Sequence, residues 1–134
     1  MAWMHASPLQ LLALAMLGGA LGAGARHVAG AWLLRDAAGG WPWSTFAVNL
    51  VGAFLAGLAF AWLEGRGESA AAWRAFVIVG VLGGMTTFSA LMLESLLFAR
   101  NGRPGLVVAY LAATLVGGLL LVWAGALAGR SLHA

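Results

Sequence analysis

Asn49 lies inside an apolar run, between Val48 and Leu50, where an amide must find hydrogen-bond partners because hydrocarbon supplies none. Its NH2 group donates and does not ionise. Two readings follow: a hydrogen bond between helices, contributing about 1 kcal/mol, or a donor aimed at an anion in a pore. Thr86, Thr87, Ser89, Tyr110 and Thr114 add neutral hydroxyls in later apolar runs. Singly, a Ser or Thr bonds its own helix backbone. Together with Asn49 they make a neutral polar track, which suits a small anion better than a row of carboxylates would. Glu94 is the one carboxylate placed well inside an apolar run, and acids there are functional candidates. Its structural alternative is a place in a water-filled vestibule or a pairing with an arginine. Arg26 ends the strongly apolar part of the first run, where it either snorkels to the interface or raises the anion concentration at a pore mouth.

Enzymatic chemistry has little support. His5, His27 and His133 have no spacing that resembles a metal site, and they read as interfacial. There is no cysteine, which removes thiolate catalysis, disulfides and cysteine metal sites. No Ser/His/Asp set, paired carboxylates or phosphate loop is visible.

The elements that must position these groups follow from composition. Of 134 residues, 63% are hydrophobic and 8% charged, against roughly 25% charged in an average soluble domain. The chain therefore expects lipid as its solvent, as a single membrane domain over residues 1–134. The net charge of +3 comes from seven Arg against four acids, scattered rather than gathered, so nucleic acid is not an expected partner. Polar or Gly- and Pro-containing breaks at residues 35–42, 64–74 and 100–104 leave four predicted spans, near 8–33, 43–63, 74–98 and 105–129. No Lys or Arg precedes the first run, and its apolar character resumes after Arg26, so it reads as a retained span rather than a secretory signal. Trp32, Trp41, Trp43, Trp62 and Trp73 fall near span edges as interface anchors, whereas Trp123, deeper in the fourth span, reads as a packing residue.

Four spans put both termini on one side, with Arg66, Arg74 and Arg130, and leave Arg26, Arg35, Arg100 and Arg103 on the other. Three against four gives no bias of the kind that orients membrane proteins. A chain without bias inserts both ways up, which makes an antiparallel dimer plausible. One four-helix unit could hardly shield a polar path from lipid by itself. The pairs Gly18/Gly22, Gly80/Gly84 and Gly125/Gly129, drawn from 20 glycines, let helix backbones approach closely. Gly80, Gly83 and Gly84 run directly into Met85-Thr86-Thr87-Phe88-Ser89, which predicts a broken third helix whose free carbonyls can bind a cation.

These residues resemble a known family, the Fluc/CrcB fluoride channels, over essentially the whole chain. The resemblance rests on Gly19-Ala20-Leu21-Gly22-Ala23 through Arg26, on Thr45-Phe46-Ala47-Val48-Asn49-Leu50-Val51-Gly52-Ala53-Phe54, and on Gly83-Gly84-Met85-Thr86-Thr87-Phe88-Ser89 with Glu94. It implies an all-α membrane protein of four transmembrane helices, with a break in the third, forming an antiparallel dual-topology dimer. It further implies two narrow pores exporting fluoride passively across a bacterial inner membrane. A structural Na+ at the dimer centre would be held by backbone carbonyls that fall on Gly83 and Thr86. The implied pore residues are Asn49, Phe88, Ser89, Tyr110 and Thr114, with Arg26 and Glu94 in the vestibule. Fluoride can accept hydrogen bonds from Asn49 and meet the positive edge of a phenyl ring, and a charge-poor pore avoids holding the ion too tightly to release it.

One position departs from the family pattern. A second phenylalanine usually stands three residues after the first, and here that position is Leu91, which has no polarised edge. Each pore would keep the ring of Phe88 and lose its companion. A homodimer is the expected assembly, with a heterodimer as the alternative, in which an unlike partner supplies the missing ring. A reading from another class is a proton-coupled exporter like the small multidrug resistance proteins. Those depend on a glutamate in span one, and this chain has no acid between Pro8 and Ala25, so Glu94 would have to substitute. A third reading is a non-conducting structural subunit.

Overall fold

The computed structural model describes residues 6–33 and 40–132, so His5, Arg35, His133 and the Trp32 side chain lie outside it. Among the described residues every regular element is helical. Helix α1 (Pro8–Val28) opens on a reciprocal cap. The Gln10 N–H donates to Ser7 Oγ at 3.3 Å, and the Ser7 N–H donates to Gln10 Oε1 at 2.8 Å, with Pro8 in the first turn where a missing N–H costs nothing. α1 continues as a wider π-helical stretch, Ala29–Leu33. Helix α2 (Trp43–Leu63) follows.

The third helical stretch begins with α3 (Ser69–Trp73), widens into π-helical Arg74–Leu82, where the Gly83 N–H reaches back to the Ile78 carbonyl, and narrows to α4 (Gly83–Met85). Thr86 and Thr87 are then extended, at φ −81°, ψ 153° and φ −149°, ψ 116°, before α5 (Phe88–Arg100) resumes. The turn into α6 (Pro104–Ser131) needs a residue without a side chain. Gly102 sits at φ +69°, so that its N–H donates to the Ala99 carbonyl at 3.1 Å and the Arg103 N–H to the Phe98 carbonyl at 2.9 Å. This left-handed closure satisfies the last carbonyls of α5, and Pro104 starts the next helix.

Among the described residues, four stretches are long and apolar enough to cross a membrane: Pro8–Ala31 with 24 residues, Trp43–Leu63 with 21, Ser69–Arg100 with 32 and Pro104–Ser131 with 28. The third starts earlier than the charge of Arg74 suggests, because the Ala-rich segment before it is already wound.

Glycine makes the two closest seams. α1 packs on the π-helical stretch and α4, and a Cβ on Gly18 or Gly22 would collide with the Phe76 or Val81 carbonyl. α2 packs on α6, where a Cβ on Gly57 or Gly125 would strike the Val122 or Phe54 carbonyl. In a membrane such backbone proximity supplies the dispersion contacts that hold helices together, since burial against lipid gives no hydrophobic gain. Trp123, expected to be a packing residue, is 75% exposed on this chain, so it packs on neither α1 nor α2 of the same molecule. The buried cluster is small and lies at one end, where Leu91, Phe98 and Tyr110 meet Trp41, Phe46 and Leu106.

Candidate functional site

The site is organised by the two extended residues between α4 and α5. Asn49 on α2 pairs with the Thr87 backbone as a neighbouring strand would. Its Nδ2 donates to the Thr87 carbonyl at 3.2 Å and its Oδ1 accepts from the Thr87 N–H at 2.7 Å. Because a peptide N–H can only donate, this pairing fixes which way the amide points, and one Nδ2 proton is left over. Thr87 Oγ1 caps α5 by accepting from the Ala90 N–H at 3.2 Å, and lies 3.1 Å from Ser89 Oγ. Thr86 is held from the other side, with both its N–H and its hydroxyl donating to the Leu82 carbonyl at 2.9 Å. Its methyl group occupies the space a Cβ on Gly52 would need.

Two clefts meet at Thr87. The first, about 400 Å³, is lined by Asn49, Gly83, Thr86, Phe88, Leu91 and Thr114 among others, with Thr87 in its wall. The second, about 590 Å³, is lined by Arg26, His27, Gly30, Thr45 and Ala90, again with Thr87. Phe88 projects from the chain, 71% exposed, whereas Leu91 is 3% exposed within the core cluster. Among the described residues, buried Thr114 Oγ1 and Arg26 Nε have no hydrogen-bond partner. Such groups cost about 1–3 kcal/mol unless something accepts from them.

Glu94 and Tyr110 line neither cleft. Glu94 Oε1 accepts from the Thr45 hydroxyl and Oε2 from the Tyr110 hydroxyl, each at 2.6 Å. Among the described residues its partners are therefore two hydroxyls, on α2 and α6, and none is an arginine. Tyr110 has no exposed surface, its ring meeting Trp41 and Phe98 edge to face at 5.2 and 6.0 Å.

Asn49, Gly83, Thr86, Phe88 and Thr114 thus share one cleft, Arg26 faces the other, and Ser89 reaches Thr87 only through its hydroxyl. Thr45 was not singled out from the sequence, although it links the Arg26 cleft to Glu94. The signal was present, since Thr45 stands four residues before Asn49, on the same helix face.

Comparison with known proteins gives the family. The model described as "CrcB-like protein, Camphor Resistance (CrcB)" matches residues 13–126. A protein of Xanthomonas euvesicatoria pv. vesicatoria is 53% identical over 125 residues, covering 93% of this chain and 94% of its own. One of Xylella fastidiosa (strain 9a5c) is 51% identical over 120 residues, covering 90% and 84%. One of Caulobacter vibrioides is 41% identical over 124 residues, covering 92% and 98%. All three carry the name "Fluoride-specific ion channel FluC". With four helices of spanning length and relatives named as ion channels, the molecule is a multi-pass membrane protein and not an enzyme. The chain belongs to the CrcB family.

Proposed function

We propose that this chain is a fluoride-specific channel, exporting the ion passively across a bacterial inner membrane as an antiparallel, dual-topology dimer with two pores. The observation that carries the reading is the pair of clefts meeting at Thr87. Charge in one is supplied by Arg26, and the other is lined by donors that carry no charge. Arg26 concentrates anions in the cleft it lines. Beyond Thr87, the spare Nδ2 proton of Asn49, the unpaired Thr114 hydroxyl and the edge of the Phe88 ring replace the water that fluoride sheds. None of these groups ionises, so the ion is bound weakly enough to leave.

The third helix is broken at Thr86 and Thr87 for a second purpose, a structural sodium between the two copies. In a continuous helix the N–H groups of Thr87 and Ala90 would bond the carbonyls of Gly83 and Thr86. Here they go to Asn49 Oδ1 and Thr87 Oγ1. The two carbonyls are thereby released as hard oxygen donors, which fits a small alkali cation. Bound there, sodium would supply a fixed positive charge shared by both copies.

Fluoride efflux from liposomes containing the purified protein, followed with a fluoride electrode, tests the channel reading. No efflux above protein-free vesicles, alone or with a related partner chain, overturns it. A second reading, a subunit that conducts only beside an unlike partner, is favoured by Leu91, which gives the cleft no second ring edge.

A further inference from the structure

We infer that Asn49 and the Thr87 hydroxyl are positioning residues for the cation site, each diverting one backbone N–H so that one carbonyl stays available for the metal. This rests on the proposed sodium site at Gly83 and Thr86. It assigns to Asn49 a second task beside its place in the anion path.

The argument is one of pairing. An α-helix closes each N–H onto the carbonyl four residues earlier. Across the α4–α5 junction two of these closures have visible substitutes. The Thr87 N–H, owed to Gly83, is taken by Asn49 Oδ1 at 2.7 Å, and the Asn49 amide returns a bond to the Thr87 carbonyl at 3.2 Å. The Ala90 N–H, owed to Thr86, is taken by Thr87 Oγ1 at 3.2 Å. Both acceptors are side chains, one from α2 and one from the junction itself. Without them the junction has a competing solution, rewinding toward helix, which would return the N–H groups to the Gly83 and Thr86 carbonyls and remove them as ligands. The extended angles of Thr86 and Thr87 are held against that solution from several directions. Asn49 grips Thr87, while Thr86 is anchored by its own hydroxyl to Leu82 and packed over Gly52. The pore asparagine and the cation site are therefore mechanically one unit, coupled through the Thr87 peptide.

The consequence is separable by substitution. Asn49→Asp keeps an oxygen for the Thr87 N–H, whereas Asn49→Leu removes it. Thr87→Ser keeps the cap on Ala90, and Thr87→Val removes it. Sodium affinity is read from the thermal unfolding of the purified protein in detergent, titrated with NaCl against choline chloride at constant ionic strength. We expect Asn49→Leu and Thr87→Val each to weaken sodium roughly two- to tenfold, the size of one net hydrogen bond. Thr87→Ser should stay within about twofold of the parent, while Asn49→Asp, which keeps the bond from the Thr87 N–H but loses the one to the Thr87 carbonyl, should bind sodium more tightly than Asn49→Leu does. Asn49→Asp should at the same time lose fluoride flux, since a carboxylate faces the anion path.

Unchanged sodium affinity in folded Asn49→Leu and Thr87→Val overturns the inference, as does a parent protein whose unfolding is indifferent to sodium. Should Asn49→Leu fail to fold, the contrast between Thr87→Val and Thr87→Ser decides alone. A parent that binds sodium yet passes no fluoride, alone or with a related partner chain, overturns the channel reading and leaves the positioning roles to be decided by the same four variants.

Discussion

Phe88 and Leu91 stand three residues apart on α5 and share the wall of one cleft, yet Phe88 is 71% exposed and Leu91 only 3%. The ring at 88 is offered outward beside the cleft it lines, while Leu91 is part of the cluster with Phe98 and Tyr110. A phenyl group at 91 would have to fit between that cluster and the cleft that Leu91 also borders.

Leu91→Phe is expected to raise fluoride flux of the isolated chain severalfold, because the adjoining cleft of about 400 Å³ can take the added atoms. Liposome efflux measures the gain. A fall in melting temperature without gain in flux, the signature of overpacking at about 1–3 kcal/mol, would mean that the side chain points wholly into the core.

Much of this was legible in the sequence and some was not. The four spans are visible because apolar runs end at charged or Gly- and Pro-rich turns, and Gly102 followed by Pro104 marks the hairpin between α5 and α6. The face of a span is harder to read. Residues 105–129 are apolar all round, so nothing in the pattern says that Trp123 turns outward while Tyr110 and Thr114 turn in. Partners between helices are not local information either. Asn49 finds Thr87 at a separation of 38 residues, and Thr45 finds Glu94 at 49. The seams at Gly18, Gly22 and Gly125 were foreseeable from spacing because small residues every fourth position leave a continuous groove.

Phe88→Ile should leave the folded chain intact, since so exposed a side chain contributes little to intramolecular packing. Its loss removes the ring edge from the cleft and should cut fluoride flux by at least about tenfold, which corresponds to roughly 1.4 kcal/mol of lost stabilisation in the path. Parallel melting curves and efflux traces check the two halves of the prediction. Normal flux would move the ion path away from α5.

The glycine seams can be probed by contrast within α6. At Gly125 a Cβ would strike the Phe54 carbonyl, whereas at Gly118 it meets nothing within 4 Å. Gly125→Ala should therefore force α2 and α6 apart and cost about 1–3 kcal/mol or more. Gly118→Ala should be neutral or stabilising by up to about 1 kcal/mol through helix propensity. Unfolding of the two variants in mixed detergent gives the comparison, and equal behaviour would contradict the close approach.

Glu94 and Tyr110 permit a double-mutant cycle. The Tyr110 hydroxyl donates to Glu94 Oε2 at 2.6 Å from a ring with no exposed surface, so Tyr110→Phe keeps the packing and leaves one carboxylate oxygen short of a donor. The expected cost is about 1–3 kcal/mol, the penalty of an unsatisfied group. Glu94→Gln replaces the carboxylate with an amide whose oxygen can still accept from either Thr45 or Tyr110, while its NH2 must face the remaining hydroxyl, which can turn to accept. Combining Glu94→Gln with Tyr110→Phe turns an NH2 toward the place the missing hydroxyl leaves, so that no carboxylate oxygen is left short of a donor. The pair should destabilise by at least about 0.5 kcal/mol less than the sum of the single changes. Additive losses would show that the bond to Glu94 contributes nothing of its own beside the aromatic packing of Tyr110 on Trp41, Phe46 and Phe98.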